Sequence, residues 1–313
     1  MFDTSSTRFL AISLAVLAAV ALSLGAQFQK GAVRDHQQKR LSLAGGINIK
    51  QLWQLLTRPK WLSGLGFMVI GIVLQLAALT FAPLIVVQPI GAIALVFTAI
   101  INARVTKTKP NRATVVAIAL CTLGIGIFVT LASTVAHEVP VDDGKLLQVL
   151  LVLAIILVVF GTLFWLLRKR HGALNYIVGA GVLYGFVATL AKVVIQRIEQ
   201  QQFEWLTLIC LVGLGIAVML GSWFVQNAYS SGPPDLVVAG LTVLDPMVAV
   251  AIAVVILNEA RAASVLVAAG FALSGVIAVV GVYLLSRVHP EMIRNELAQY
   301  RKHDSSGEIS TLR

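Results

Sequence analysis

The chain has 313 residues, of which 58% are hydrophobic and 12% are charged, and its formal net charge at pH 7 is +10. Soluble domains carry about 25% charged residues, so this composition excludes an ordinary soluble protein and is typical of a polytopic membrane protein. The basic residues stand in short connections between apolar runs and form no basic domain, which argues against nucleic acid as a partner.

Apolar runs of about 20 residues predict nine membrane-spanning helices. Their predicted ranges are 9–28, 61–82, 84–103, 113–135, 146–167, 173–196, 205–227, 236–257 and 264–286. The first run is longer than the apolar part of a signal peptide, which is about 7–15 residues, so we interpret it as a retained first helix.

The charges of the connections predict the orientation. Basic residues concentrate in 29–60, 104–112, 168–170 and the tail 287–313, whereas the connection after the fourth helix contains Glu138, Asp142 and Asp143. The positive-inside rule then places the N-terminus outside and the C-terminus in the cytoplasm, in a cytoplasmic or inner membrane. Within the connections we expect an amphipathic helix on the inner membrane surface over 47–58, and a short helix over 290–300 followed by disorder.

A polar residue followed by a proline occurs twice, at Gln88-Pro89 and at Asp245-Pro246. Fourteen residues after each polar residue stand Asn102 and Glu259, respectively. Fourteen helical residues turn to within about 40° of the starting direction and span about 21 Å, so each pair is expected to share one stripe of a helix. The third predicted helix runs inward and the eighth runs outward, which predicts an inverted internal repeat.

We therefore expect an all-α integral membrane bundle in which two four-helix repeats flank a linker helix. The first repeat is 1–135 with its cytoplasmic loop 29–60, the linker helix is in 136–172, the second repeat is 173–286, and the partly disordered cytoplasmic tail is 287–313.

Asp245 is the strongest candidate for a binding residue. It lies near the middle of the eighth predicted helix, where an ionised carboxylate costs about 2.5–3.5 kcal/mol, so it should face the interior of the bundle. Pro246 cannot donate a backbone hydrogen bond and leaves the Thr242 carbonyl free. Together they are suited to a proton, a small cation or a substrate amine; the alternative is a structural carboxyl bonded to a neighbouring helix.

Gln88 is the neutral counterpart of Asp245, and Pro89 frees the Ile85 carbonyl in the same way. Its amide is suited to hydrogen bonds with a substrate or with another helix. Both prolines are predicted helix breaks. Four further polar residues are predicted to line the cavity or to join helices: Gln75, Tyr184, Gln226 and Asn227.

A second group of residues is predicted to act in gating or coupling, and it comprises Asn102, Lys192, Glu259 and Arg261. For Glu259 and Arg261 the alternatives are an exposed capping pair and an outer gate. For Lys192 they are snorkelling to the interface and pairing with an acidic group inside the bundle. The glycines of Gly181-x-x-x-Gly185 and the cysteines Cys121 and Cys210 are expected to pack helices together.

These residues resemble the drug/metabolite transporter (EamA-like) superfamily. The second half carries its pattern in Ala228, Gly232-Pro233, Leu236-Val237-Val238, Asp245-Pro246 and Asn258-Glu259, and residues 82–92 look like its NIPA-type magnesium transporter branch. The resemblance implies an inverted-repeat carrier of nine helices with a central cavity. One departure is that Asn102 stands where many relatives carry glutamate, which counts against magnesium.

We predict a secondary transporter that moves, by efflux or uptake, a small organic metabolite, drug or amphiphile, with proton coupling through Asp245. The alternatives are a magnesium or cation permease, a lipid-linked flippase, and a non-transporting scaffold. Expected partners are the substrate, membrane lipids and a second copy in a homodimer. Scattered histidines and the lack of a phosphate-binding loop or nucleophile elbow predict no enzyme, no cofactor and no bound metal.

Overall fold

The computed structural model describes residues 4–38, 59–105, 112–166, 173–231 and 234–284. All regular structure in these ranges is helical. In chain order the helices are α1 (Thr4–Gln38), α2 (Pro59–Phe81), α3 (Leu84–Gly91), α4 (Ile93–Val105), α5 (Arg112–Val135), α6 (Asp143–Leu166), α7 (Ala173–Glu199), α8 (Trp205–Ser231), α9 (Pro234–Val255) and α10 (Val265–Leu284). Because α1 continues to Gln38, the start of the predicted loop 29–60 is helical. The helices predicted over 47–58 and 290–300 lie outside the described residues.

Eight segments of the described chain are long and apolar enough to cross a membrane, and α3 with α4 counts as one of them. A ninth, Gly240–Val255 within α9, is shorter. A bilayer offers backbone groups no water, so spanning segments must satisfy their own hydrogen bonds as helices. The prediction of an all-helical polytopic membrane protein is confirmed.

The third predicted helix is divided at Ala92 into α3 and α4. Pro89 lacks a backbone N–H, and at the break the N–H of Ala92 donates to the Pro89 carbonyl at 3.2 Å, the tighter bonding of a helix end. Pro89 itself lies inside α3, and the division follows it by three residues, so the predicted break is close to this proline but not at it. At Pro246 the same prediction is wrong, because α9 continues through it to Val255. Proline removes one donor there, while α9 stays packed against α7.

The chain reverses after α9 in a way that turns Glu259 back into the bundle. Asn258 has a φ of 59°, a left-handed conformation that asparagine tolerates, and the N–H of Glu259 donates to the Ala253 carbonyl at 3.0 Å. The stripe predicted from the fourteen-residue spacing is therefore wrong in the second copy, and in the first copy its two residues lie on separate helices. Glu259 lies beyond the end of α9, and Asn102 lies on α4 after the break that separates it from Gln88.

Glycines let two pairs of helices approach closely. A Cβ at Gly181 would lie 2.5 Å from the Leu244 Cβ, so α7 and α9 are in direct contact, as Gly181-x-x-x-Gly185 predicts. A Cβ at Gly124 would lie 2.5 Å from the backbone nitrogen of Ala278, so α5 and α10 cross at the same closeness. Cys121 and Cys210 are buried and unpaired, as expected of packing residues.

The connections α2–α3, α5–α6, α7–α8 and α9–α10 gather at one end of the bundle, which we call the Glu259 end. Hydrogen bonds join these connections directly. The N–H of His137 donates to the Glu259 carbonyl at 3.0 Å, and the Arg197 guanidinium donates to the Val141 carbonyl at 3.3 Å.

Candidate functional site

A cavity of about 440 Å³ lies between α1, α2, α3, α7 and α9. Its wall is mostly aliphatic, with polar side chains from four helices: Gln75, Gln88, Tyr184, Thr242 and Asp245. Pro246 also lines it. The structure therefore brings the two polar residues of the proline pairs, which are far apart in sequence, to one cavity between the two halves of the chain.

Two of the predicted cavity residues lie elsewhere. Gln226 is exposed on α8, and the Asn227 amide donates to the Trp223 carbonyl of its own helix at 2.7 Å. Neither belongs to the cavity wall, so their predicted place in it is wrong. Tyr184 does line the cavity, and its hydroxyl is 3.3 Å from that of Ser222.

Asp245 carries an incompletely satisfied carboxyl group. Its Oδ1 atom is buried and has no hydrogen-bond partner among the residues that the structure describes. The neighbouring Thr242 hydroxyl is already committed, because it donates to the Val238 carbonyl at 2.7 Å. A buried polar atom without a partner costs about 1–3 kcal/mol, which a bound proton, cation or donor group would recover.

Lys192 is buried at the Glu259 end, with 0% of its surface exposed. Its Nζ donates to the carbonyls of Leu79 at 2.5 Å and Ala82 at 3.0 Å, and to Oε1 of Glu138 at 2.6 Å. The expectation that Lys192 snorkels to the interface is wrong, because its ammonium is buried. It pairs with an acidic group as the alternative proposed, but that group is Glu138 of the α5–α6 connection and is partly exposed. The end of α2 supplies carbonyls that have no partner within the helix, and these draw the ammonium inward.

Glu259 is 3% exposed and binds the first turn of α3. One carboxylate oxygen accepts the N–H of Leu84 at 3.0 Å and the other accepts that of Ile85 at 2.8 Å. Burial raises the pKa of this carboxyl above its ordinary value, while the two N–H donors and Lys192 oppose that rise. The expected exposed capping pair is wrong: Glu259 caps a different helix, and Arg261 is exposed.

Sequence reasoning assigned no contact to four charged residues at the same end. The Arg8 guanidinium donates to the carbonyls of Ser133 and, at 2.7 Å, Ala136. Arg197 pairs with Asp143, and Glu138 with Lys192. The available signal was a cation near the end of an apolar run beside a short acidic connection. These hydrogen bonds and ion pairs join interhelical connections to helix ends and lie outside the cavity.

The described residues contain no group of three or more histidine, cysteine, aspartate or glutamate side chains that would hold a metal ion. A cation in the cavity would therefore meet one carboxylate, Asp245, with amide and hydroxyl oxygens. Such a donor set suits a hard cation that keeps part of its water shell.

Comparison with known proteins adds the following. The family profile described as magnesium transporter NIPA matches residues 7–201. An uncharacterised protein of Corynebacterium glutamicum is 25% identical over 81% of this chain and 86% of its own length. A probable magnesium transporter of Arabidopsis thaliana, NIPA1, is 28% identical over 47% of this chain and 46% of its own length. A probable magnesium transporter of Candida albicans is 26% identical over 44% and 36%, respectively. No solved structure matches.

Proposed function

Because the chain belongs to the NIPA magnesium transporter family, we propose that this membrane transporter carries magnesium or a similar divalent cation through the cavity that contains Asp245. Membership accords with the resemblance carried by residues 82–92. Family membership favours a cation, which was the alternative, over the organic solute that we predicted from sequence. The observation that carries the proposal is that Asp245 lines the cavity and carries an Oδ1 atom that has no partner among the described residues.

The chemistry of the cavity supports a partly hydrated ion. Magnesium binds oxygen ligands, uses one or two carboxylates and keeps several waters. Asp245 offers the carboxylate, while the amides of Gln75 and Gln88 offer neutral oxygens. A water occupies about 30 Å³ of liquid volume, so six waters need on the order of 200 Å³. The cavity of about 440 Å³ has room for that shell.

Asn102 no longer weighs against magnesium. Asn102 stands at the end of the third predicted helix, where many relatives carry glutamate. That position belongs to α4, ten residues beyond the break at Ala92. A glutamate there is not needed to complete the donor set around Asp245.

The test is magnesium uptake into proteoliposomes that contain an indicator dye. Asp245→Asn keeps the size of the side chain and removes its charge, and we expect uptake to fall by about tenfold or more because a charged ligand contributes about 1.5–3 kcal/mol. Asp142→Asn, an exposed carboxylate at the Glu259 end, is the matched control and should transport normally. Wild-type uptake by Asp245→Asn would overturn the proposal.

A proton-coupled carrier of a small organic solute is the second candidate. The observation that favours it is the volume and aliphatic wall of the cavity, which fall in the range of sites for drug-sized ligands. In this case Asp245 carries the coupling proton. Substrate-driven proton movement in sealed vesicles that is lost in Asp245→Asn, with no magnesium flux in the wild type, would select this candidate.

We also propose that the protein lies in the cytoplasmic membrane with the Glu259 end outside, as an inverted pair of repeats. The support is the charge of the connections: acidic residues such as Glu138 and Asp142 at this end, and basic runs in those of the opposite end. The placement of Gln88 and Asp245 at one cavity suits two halves that pack face to face.

A further inference from the structure

Two charged side chains from the second half of the chain hold one short backbone segment of the first half. This segment, residues 79–85, joins α2 to α3, and we call it the junction. The Lys192 ammonium donates to two junction carbonyls, those of Leu79 and Ala82. The Glu259 carboxylate accepts the N–H groups of Leu84 and Ile85. Four backbone groups of the junction thus depend on two side chains.

The junction covers the cavity at the Glu259 end. Leu79 lines the cavity, and so does Ala191, the neighbour of Lys192. Ala82, Leu84 and Ile85 are each 0% exposed, so the backbone of the junction is packed within the bundle at this end. The outermost partner of the cluster is Glu138, whose side chain is 44% exposed. From solvent towards the cavity, the contacts therefore follow the order Glu138, Lys192 and the Leu79 carbonyl.

These contacts can be released without unfolding a helix. The last carbonyls and the first N–H groups of a helix have no partners within it, and they are usually satisfied by local side chains or water. Here they are satisfied by side chains from α7 and from the α9–α10 connection, so releasing the junction breaks only bonds between those side chains and its backbone. Water that enters as the halves separate would satisfy the same backbone groups.

We propose that Lys192 and Glu259 are the gate of the cavity at the Glu259 end. They close it by binding the junction, and the ion pair of Lys192 with the solvent-exposed Glu138 holds the ammonium in place. The cavity opens to this end when Lys192 and Glu259 leave the junction. Both are positioning residues, and the inference holds for a cation and for an organic solute alike, because neither residue lines the cavity.

The test measures access to the cavity wall. In a chain with Cys121→Ala and Cys210→Ala, Ala191→Cys places one thiol in the wall, and a membrane-impermeant maleimide is applied to sealed vesicles of each orientation. A separate chain with Asp142→Cys, at an exposed position, identifies the Glu259 side. We expect Glu138→Gln and Lys192→Met each to raise the labelling rate from that side about tenfold, since an open minor state of 0.1–10% has room to rise by that factor.

Glu138→Gln is the decisive variant, because Glu138 is partly exposed and its replacement leaves the bundle interior intact. Lys145→Met is the matched control for Lys192→Met. It also removes a lysine at this end, but Lys145 donates to the Pro140 carbonyl and not to the junction. An unchanged rate in Glu138→Gln and in folded Lys192→Met would overturn the gate, as would an equal rise from both sides. The readout is independent of transport, so a normal magnesium flux in Asp245→Asn would leave it unaffected.

Discussion

Asp245 and Glu259 are two carboxylates held inside an apolar bundle, and their partners separate their roles. Both oxygens of Glu259 accept backbone N–H groups at the start of α3. Asp245 lines the cavity, and its Oδ1 atom has no partner among the described residues. A carboxylate whose oxygens both accept hydrogen bonds from the protein has a structural role, whereas one with an unsatisfied oxygen can bind a ligand.

The role of Glu259 predicts the stability of its amide variant. In Glu259→Gln only one oxygen can accept, and the amide NH₂ group would face the second backbone N–H of α3. We expect a loss of about 1–3 kcal/mol in the free energy of unfolding, the cost of one buried unsatisfied donor. Thermal or denaturant unfolding in detergent measures it.

Arg261→Gln is the control for this variant, because Arg261 is exposed on the same connection and the change should stay within about 0.5 kcal/mol. If Glu259→Gln and Arg261→Gln have the same free energy of unfolding, the two hydrogen bonds from α3 to Glu259 contribute nothing measurable to stability.

At the level of residues, sequence alone predicted which polar groups matter better than what they touch. An intramembrane aspartate beside a proline should face the interior, so the sequence alone predicts that Asp245 and its counterpart Gln88 line the cavity. The partners of Lys192 lie 113, 110 and 54 residues away in the chain. Contacts over such separations follow from the packing of whole helices, which local spacing does not encode.

Among the helices, the crossing of α5 and α10 is fixed by backbone proximity. A Cβ at Gly124 would lie 2.5 Å from the Ala278 nitrogen, and a Cβ at Gly281 would lie 2.3 Å from the Cys121 nitrogen. Backbone atoms cannot move aside as a flexible side chain can. The two helices therefore keep this distance only while both positions are glycine.

Gly124→Ala should separate α5 from α10 and reduce the free energy of unfolding by about 1–3 kcal/mol, the usual cost of overpacking. Gly126→Ala is a control two residues away on the same helix, where a Cβ would meet nothing within 4 Å. That change should be neutral or slightly stabilising, because alanine is the better helix former. Unfolding midpoints in one detergent compare them, and equal midpoints would contradict the close crossing.

The elements themselves were the most predictable part of the fold. Runs of about 20 apolar residues have few alternatives to a spanning helix, which is why the helical bundle followed from composition. Composition does not predict where α3 ends or that the chain reverses after α9. The first depends on the packing around each proline: α9 continues past Pro246, whereas the helix divides after Pro89.

Across the whole molecule, the Glu259 end is a layer of polar contacts that ties together connections from all parts of the chain. Arg8 reaches the end of α5, Arg197 pairs with Asp143, and Lys192 with Glu138. The connections at the opposite end carry basic runs, such as 168–170 and 104–112. This difference in charge is the feature that should orient the protein during insertion.

The orientation can be read from two exposed positions on opposite ends. Asp142→Cys lies before α6 at the Glu259 end, and Ser231→Cys lies at the far end of α8. In a chain without Cys121 and Cys210, we expect an impermeant maleimide to label position 142 in intact cells, and position 231 only after the membrane is permeabilised. Basic segments are retained on the cytoplasmic side, so the acidic end is the one exported. The reverse labelling would place the gate of Lys192 and Glu259 on the cytoplasmic side, where it would control access from the cell interior.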